Sequence, residues 1–342
     1  MIQDKFGRYE VIEEIGRGSM GVVYRARDPL IDREVAIKTV PVGYGPDRKR
    51  RESHLERLRR EALAAGRLSH PNIVVVYDVG EEGDSFYIAM ELLHGRTIDQ
   101  VLKDGAKFSV EEVADIIDEV AAALDHAHSK EVIHRDIKPS NLFLMDNGTV
   151  KITDFGIAKL PLGTLTGEGR IVGSPSYMSP EQVRGSKVDA RSDVFSLGVL
   201  SYILVTGKKP FGGGEVPDII YRIVHEDPPP PGKIRPDLSR EVDRVVIRAL
   251  AKDPDKRYQS AGGVARAFGK AIQQEYDVDE RLEKEEASDD STGELKRASF
   301  DMDMYREKES DGPSKIDMVF QEITSEIRSF RLDGGKKKRK KR

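Results

Sequence analysis

Between Tyr9 and Leu92 apolar and polar residues come in short alternating runs. YEVIEEIG, GVVYRARD, EVAIKTV, IVVVYDVG and SFYIAMEL predict β-strands, punctuated by Gly, Asp and Pro. One stretch breaks that period: from Ser53 to Leu68 the residues Leu55, Leu58, Ala62, Ala65 and Leu68 recur at spacings of three and four, which predicts a helix. Beyond Leu93 the apolar period is helical, most clearly in VEEVADIIDEVAAALDHAHSK, DVFSLGVLSYILVTG and REVDRVVIRALAKD. The pattern predicts an α+β protein, with a β-rich lobe over residues 1–92 carrying one helix and a mainly helical lobe over 93–274. After Gln274 the composition shifts to Asp, Glu, Lys and Ser with few aromatics, so 275–342 reads as largely disordered. Within it, Ile316, Val319, Phe320, Ile323, Ile327 and Phe330 share one face of an amphipathic helix over 315–331. That helix either docks on its own domain or frays, or it serves a partner or a membrane surface.

A chain of 342 residues with 38% hydrophobic content holds one large two-lobed domain or two ordinary ones. Its net charge of −4 conceals an acidic excess from Asp277 to Asp333 and a wholly basic end, Lys336 to Arg342. Such a block is a solvated tail, a point of attraction to an anionic membrane surface or, ranked last, a contact for nucleic acid. The absence of cysteine excludes a disulfide framework, a zinc ribbon and a thiol nucleophile, and suits a reducing cytosol. MIQDKFGRYE carries no apolar leader pattern. The longest apolar run, Val194 to Val205, is broken by Ser196, Gly198 and Ser201 and is too short to span a bilayer, so it predicts a buried helix. The expectation is a soluble cytoplasmic chain, with 336–342 as its route to the inner face of a membrane.

The candidate chemistry lies in three places. Asp136, Asn141 and Asp154 supply carboxylate and amide oxygens of the kind that hold hydrated Mg²⁺ beside a nucleotide and orient an attacking hydroxyl. Gly16, Gly18 and Gly21 fall between two predicted strands; this rejects the dinucleotide fingerprint, which needs a helix after the glycines, and leaves a phosphate-covering hairpin or an ordinary glycine hairpin. Lys38 ends the apolar strand VAIK, and Glu61 lies three residues after Leu58 and four before Ala65, on the buried helical stripe. A carboxylate there needs a partner, and Lys38 is the natural one. The plainer readings are a surface lysine and a peripheral glutamate.

HRDIKPSN (134–141), DFG (154–156), SPE (179–181) and DPDKRY occur in the order found in eukaryotic-type protein kinases, and from about Tyr9 to Phe268 the chain resembles the Ser/Thr branch of that family, in its bacterial form. The resemblance implies a bilobal protein kinase fold, MgATP as cosubstrate with Mn²⁺ as a substitute metal, and transfer of the γ-phosphoryl group to Ser/Thr hydroxyls of protein substrates in signal transduction. It makes Asp136, Lys138, Lys38 and Glu61 catalytic and gives the metal to Asn141 and Asp154. It sets Ile15, Gly16, Arg17, Gly18, Ser19, Met20, Gly21, Val22 and Val23 over ATP, with Ala36, Met90, Glu91, Leu93 and Phe143 around the base. His134, Arg135, Phe155, Gly156, Ser174, Glu181, Asp193 and Arg257 become supports, Glu181 pairing with Arg257 and His134 packing under Phe155. Thr164 and Thr166 are the activation-loop sites whose phosphates would dock on Arg135, and a homodimer is one route to their autophosphorylation. Rival readings are a pseudokinase and a small-molecule kinase. A cytosolic piece of a longer receptor-type kinase is a further reading of the basic end.

Overall fold

A computed structural model describes residues 4–18, 21–42, 48–155 and 175–273. Six antiparallel strands form the first sheet: β1 (Lys5–Phe6), β2 (Tyr9–Gly18), β3 (Gly21–Asp28), β4 (Arg33–Pro41), β5 (Val76–Glu82) and β6 (Ser85–Met90), in the order β1-β2-β3-β4-β6-β5. Helix α1 (Arg48–Gly66) interrupts them between β4 and β5. Leu58, Ala62 and Ala65 of its predicted stripe are buried, as is Leu68 just past its end. The helix starts five residues before Ser53. The added turn, RKRRE, is rich in good helix formers but has no apolar stripe from which a helix could be read. The run IVVVYDVG also departs from one continuous strand. Ile73 bridges in parallel to Ile152 of the other lobe, Val74 N–H donates to Ile152 C=O at 3.0 Å, and β5 begins only at Val76.

The second lobe opens with a small sheet, β7 (Gly95–Thr97), β8 (Leu142–Met145) and β9 (Val150–Ile152), in that order. Its helices are α2 (Ile98–Lys103), α3 (Val110–Ser129), α4 (Pro180–Val183), α5 (Ala190–Thr206), α6 (Val216–His225), α7 (Arg240–Ala249) and α8 over 261–273. Capping boxes, Thr97 with Gln100 and Ser109 with Glu112, start α2 and α3. Asp125 of α3 accepts the Ala261 and Gly262 N–H groups, both at 3.0 Å, and so caps α8 from outside.

Helix α5 is buried along almost its whole length, so it is apolar on all sides rather than amphipathic. Its serines bond back one turn, Ser201 Oγ donating to Leu197 C=O at 2.8 Å and Ser196 Oγ to Ser192 C=O at 3.2 Å, and Ser196 Oγ also meets Tyr177 C=O outside the helix at 2.8 Å. Gly198 lets α7 approach, since a Cβ there would sit 2.8 Å from Ala249 Cβ. Among the described residues no helix is long and apolar enough to cross a membrane.

Around α5 lies a set of buried polar side chains, His134, Asp193, Glu181 and Arg257. Arg257 uses all five donors: Nη1 and Nη2 meet the two Glu181 oxygens at 2.8 and 2.9 Å, and the rest go to the carbonyls of Ala251, Arg191 and Lys252. The guanidinium also lies 4.9 Å over the Phe195 ring. Burial alone would raise the Glu181 carboxyl, but the hydrogen bonds from Arg257 and Ser192 hold it below its ordinary value.

His134 is fully buried, and burial pushes its imidazole below the ordinary value of 6.5. Its hydrogen bonds suit the neutral ring, because Nε2–H donates to Thr153 C=O at 2.9 Å while Nδ1 accepts the Asp136 N–H at 3.1 Å. The unfolded chain therefore takes up a proton below pH 6.5 that the folded one refuses, and stability is lost as pH falls. His54 and His70, also lowered by burial, add in the same direction. Unfolding free energies from urea titrations should stay level above about pH 7 and fall toward pH 5, by at most about 1.4 kcal/mol per pH unit for each such histidine, with the midpoint falling in step. A midpoint that stayed level down to pH 5 would contradict a neutral, buried His134.

Candidate active site

The cleft is roofed by the β2–β3 hairpin, paired out to Gly18 and Gly21. Gly21 has φ +142°, and a Cβ on it would lie 1.6 Å from Thr39 C=O, so the contact of β3 with β4 excludes any side chain. Gly16 and Gly18 differ: nothing lies within 4 Å of where their Cβ atoms would be, so the protein's own packing does not ask for glycine and the space is open to a ligand. Arg17 turns its guanidinium to Glu14 at 2.6 Å, and Ile15 is exposed. Val22 and Val23 of β3 stand opposite Thr39 and Lys38 of β4, and Ala36 opposite Met90 of β6.

Lys38 Nζ meets Asp154 Oδ1 at 2.6 Å. The expected Lys38–Glu61 pair is not made. Glu61 lies 4.0 Å from Arg57 Nε, one turn away on α1, and its Oε2 is buried without a hydrogen-bond partner. Burial raises the Glu61 carboxyl, and the charges of Arg57, Arg135 and Arg60 only partly oppose it. The reason is competition for one cation: with α1 in this position, the Asp154 carboxylate is within contact distance of Lys38 and that of Glu61 is not. A small, mainly apolar cavity behind Lys38, lined also by Ala65, Ile73, Ile88 and Phe155, separates the strand from the helix.

Below the cleft, the backbone of HRD is held by Asp193, in the first turn of α5. Its Oδ2 accepts the His134 N–H and its Oδ1 the Arg135 N–H, both at 2.8 Å. These bonds hold Arg135 at φ +65°, a left-handed conformation that a side chain disfavours. Arg135 C=O accepts from Gln182 Nε2 at 2.9 Å. The Asp136 carboxylate then faces Lys138 Nζ at 2.8 Å and Asn141 Nδ2 at 3.2 Å, and the same amide donates to Asp136 C=O at 2.8 Å. Asn141 ends a short 3₁₀ turn, Pro139–Asn141, and its C=O accepts from Thr153 N–H at 2.9 Å and Thr153 Oγ1 at 3.2 Å. This links the catalytic-type loop to the residue before Asp154. Asp154 itself sits at φ +63°, and buried Phe155 packs edge-on against His134 with centroids 4.6 Å apart.

Asn141 and Asp154 fit a hard cation that keeps water and takes phosphate oxygens. Among the described residues no cluster of three or more His, Asp or Glu forms a cage, and Mg²⁺ bound with a nucleotide does not require one. The Glu91 side chain is turned to Lys151 Nζ at 2.9 Å and to Val75 N–H at 3.3 Å. Leu93 and Phe143 are half-buried, Phe143 standing opposite Lys151 across β8 and β9.

Two supports escaped the sequence reading. His128 Nε2 reaches Asp193 Oδ2 at 2.8 Å from α3, and no local pattern marks it. Ser179, the first residue of SPE, caps α4: Gln182 N–H donates to its Oγ at 3.4 Å while its own N–H donates to Gln182 Oε1 at 2.9 Å. The signal was present as S-P-E-Q, the spacing of a capping box. Ser19, Met20, Gly156, Thr164, Thr166, Ser174 and the segments 315–331 and 336–342 lie outside the described residues.

Comparison with known proteins agrees with this geometry. The chain is 39% identical over 256 residues to serine/threonine-protein kinase PrkC of Bacillus subtilis, covering 75% of this chain and 39% of that protein. It is 42% identical over 261 residues to serine/threonine-protein kinase PknB of Mycolicibacterium smegmatis, covering 74% and 41%. A probable serine/threonine-protein kinase PknB of Corynebacterium glutamicum is 42% identical over 274 residues, covering 77% and 42%. The chain thus spans about two fifths of the length of the curated relatives it matches. The family model of the protein kinase domain matches residues 9–269, and the chain belongs to that family.

Proposed function

We propose that this chain is an ATP-dependent protein serine/threonine kinase. The observation that carries the reading is the loop in which Asp136, Lys138 and Asn141 meet within 3.2 Å, on a backbone fixed by Asp193 and tied to the approach of Asp154. Asp136 is the group that orients a substrate hydroxyl and takes its proton. As the oxygen of that hydroxyl bonds to the γ-phosphorus, the bond to the β,γ-bridging oxygen breaks and ADP leaves. Lys138 supplies positive charge to the transferring group, and its contact with Asp136 keeps that carboxylate aimed. Asn141 and Asp154 are the residues that would hold Mg²⁺, with Mn²⁺ as a substitute; the metal supplies charge neutralisation between the phosphates. Lys38 would bind the α and β phosphates, beneath the β2–β3 hairpin described to Gly18 and from Gly21. Ala36, Met90, Leu93 and Phe143 would line the base.

The arrangement described is a resting one in this reading. For Lys38 to reach the phosphates with Glu61 as its partner, α1 must move toward β4, giving Glu61 the hydrogen bonds it lacks and releasing Asp154 for the metal. Phosphorylation of Thr164 and Thr166 is the device proposed to favour that state, through charge-assisted hydrogen bonds to Arg135. Copies of the chain would phosphorylate one another, as a transient homodimer. Lys336 to Arg342 would add attraction to anionic lipid on the cytoplasmic side of a membrane.

Incubation with MgATP and a protein substrate, read by mass spectrometry, should yield phosphoserine or phosphothreonine, and Asp136→Asn should lower the rate by about 10²- to 10⁴-fold with folding intact. Equal rates would remove the proposed base. Replacing Thr164 and Thr166 together by alanine should slow turnover about tenfold, the worth of one charge-assisted contact; turnover at the parent's rate would refute the loop's role. In flotation assays, vesicles containing anionic lipid should carry the full chain upward and leave a chain ending at Gly335 behind, whereas equal recovery would exclude attraction through the basic end.

A further inference from the structure

Glu91 follows the last residue of β6, in the segment that passes the base side of the cleft, yet its carboxylate serves another purpose. Its N–H donates to Val75 C=O at 2.9 Å, and Val75 N–H donates back to its Oε2 at 3.3 Å, so the side chain folds over its own strand pairing. Lys151 Nζ reaches the same oxygen at 2.9 Å. Lys151 is the middle residue of β9, the strand that runs on to Asp154, and stands opposite Phe143. The two side chains are only 16% and 25% exposed, so little water reaches the pair to screen it. One ion pair therefore joins the connection between the lobes to the strand that delivers the metal-ligand candidate.

We propose that Lys151 is a positioning residue for the nucleotide, acting through Glu91; this rests on the kinase reading and deepens it. Two effects follow from its charge. Lys151 cancels a half-buried carboxylate beside a cleft meant for a polyanion, and it holds the Met90–Leu93 backbone at a fixed spacing from β9. Without it, Glu91 would be left as a poorly solvated negative charge in the segment bordering the base side of the cleft, within the field felt by a polyanionic ligand. Such repulsion weakens ground-state and transition-state binding equally, and so raises KM with little change in kcat. A plain brace would instead lower stability and kcat whatever the charge of residue 91.

The test compares the parent, Lys151→Met, Lys151→Arg, Glu91→Gln and the double variant Glu91→Gln/Lys151→Met. It uses steady-state kinetics in ATP, direct titration with MgATP and thermal unfolding. Lys151→Met should raise KM and Kd for ATP about fivefold, as expected for one weakly screened charge, with kcat within about twofold of the parent. Lys151→Arg should hold KM near the parent's value, and removing the Glu91 charge as well, in the double variant, should bring KM back down from that of Lys151→Met. If Lys151→Met does not fold, the double variant and Lys151→Arg still decide, since a KM above the parent's in both would contradict the electrostatic role. An unchanged KM in a folded Lys151→Met, a fall in kcat alone, or a double variant as weak as Lys151→Met would overturn the proposal. A parent that takes up no MgATP overturns the kinase reading and this inference with it. A parent that binds while every variant binds equally well overturns the inference alone.

Discussion

The buried carboxylate of Asp193 fixes the course of the chain through 134–136, and the rest of the site is placed relative to it. Two backbone N–H groups converge on it from a segment forced into a left-handed turn, a conformation that would relax without them. The carboxylate tolerates full burial because it sits in the first turn of α5, where the helix dipole favours negative charge, and because His128 donates to it as well. With that segment fixed, Asp136 projects toward Lys138 and Asn141. His134 is locked between Thr153 and Phe155, so the strand carrying Asp154 is anchored to the same support.

Above that fixed floor, one ionic contact of the roof is contested. Two carboxylates, Asp154 and Glu61, compete for one ammonium, and in this structure Asp154 has it. A half-buried glutamate left with arginines at 4.0 Å or more is a weakly satisfied group, and leaving one oxygen without a donor costs on the order of 1–3 kcal/mol. A difference of that size is within reach of a few charge-assisted contacts made elsewhere. A well-anchored floor beneath a helix held by an imperfect ion pair is suited to control by small changes in charge.

Much of this was legible in the sequence because it depends on spacing. The stripe of Leu58, Ala62 and Ala65 marked α1, the interrupted apolar run marked a helix buried all round, and the two acidic motifs marked the cleft. What spacing does not encode is displacement. The sequence names Lys38, Glu61 and Asp154, but which carboxylate holds the lysine depends on how far α1 stands from β4. The division of IVVVYDVG was hidden for a related reason, since an apolar run reads the same whether it pairs within its own sheet or, as at Ile73, with a strand of the other lobe. His128 was missed because its significance lies in a contact 65 positions away. Ser179 was missed because SPE was read only as a motif and not, with Gln182, as a capping box.

The Glu181–Arg257 pair spans 76 positions, and that separation bears on how the protein is made. During synthesis the segment with Glu181 and the whole of α5 emerge well before Arg257. Until then a carboxylate destined for the interior has no counter-ion, and sealing it would leave a buried, uncompensated charge. Closing the larger lobe before the chain beyond residue 257 has cleared the exit tunnel would carry that cost, which favours a lobe whose apolar surfaces stay open until Arg257 is available.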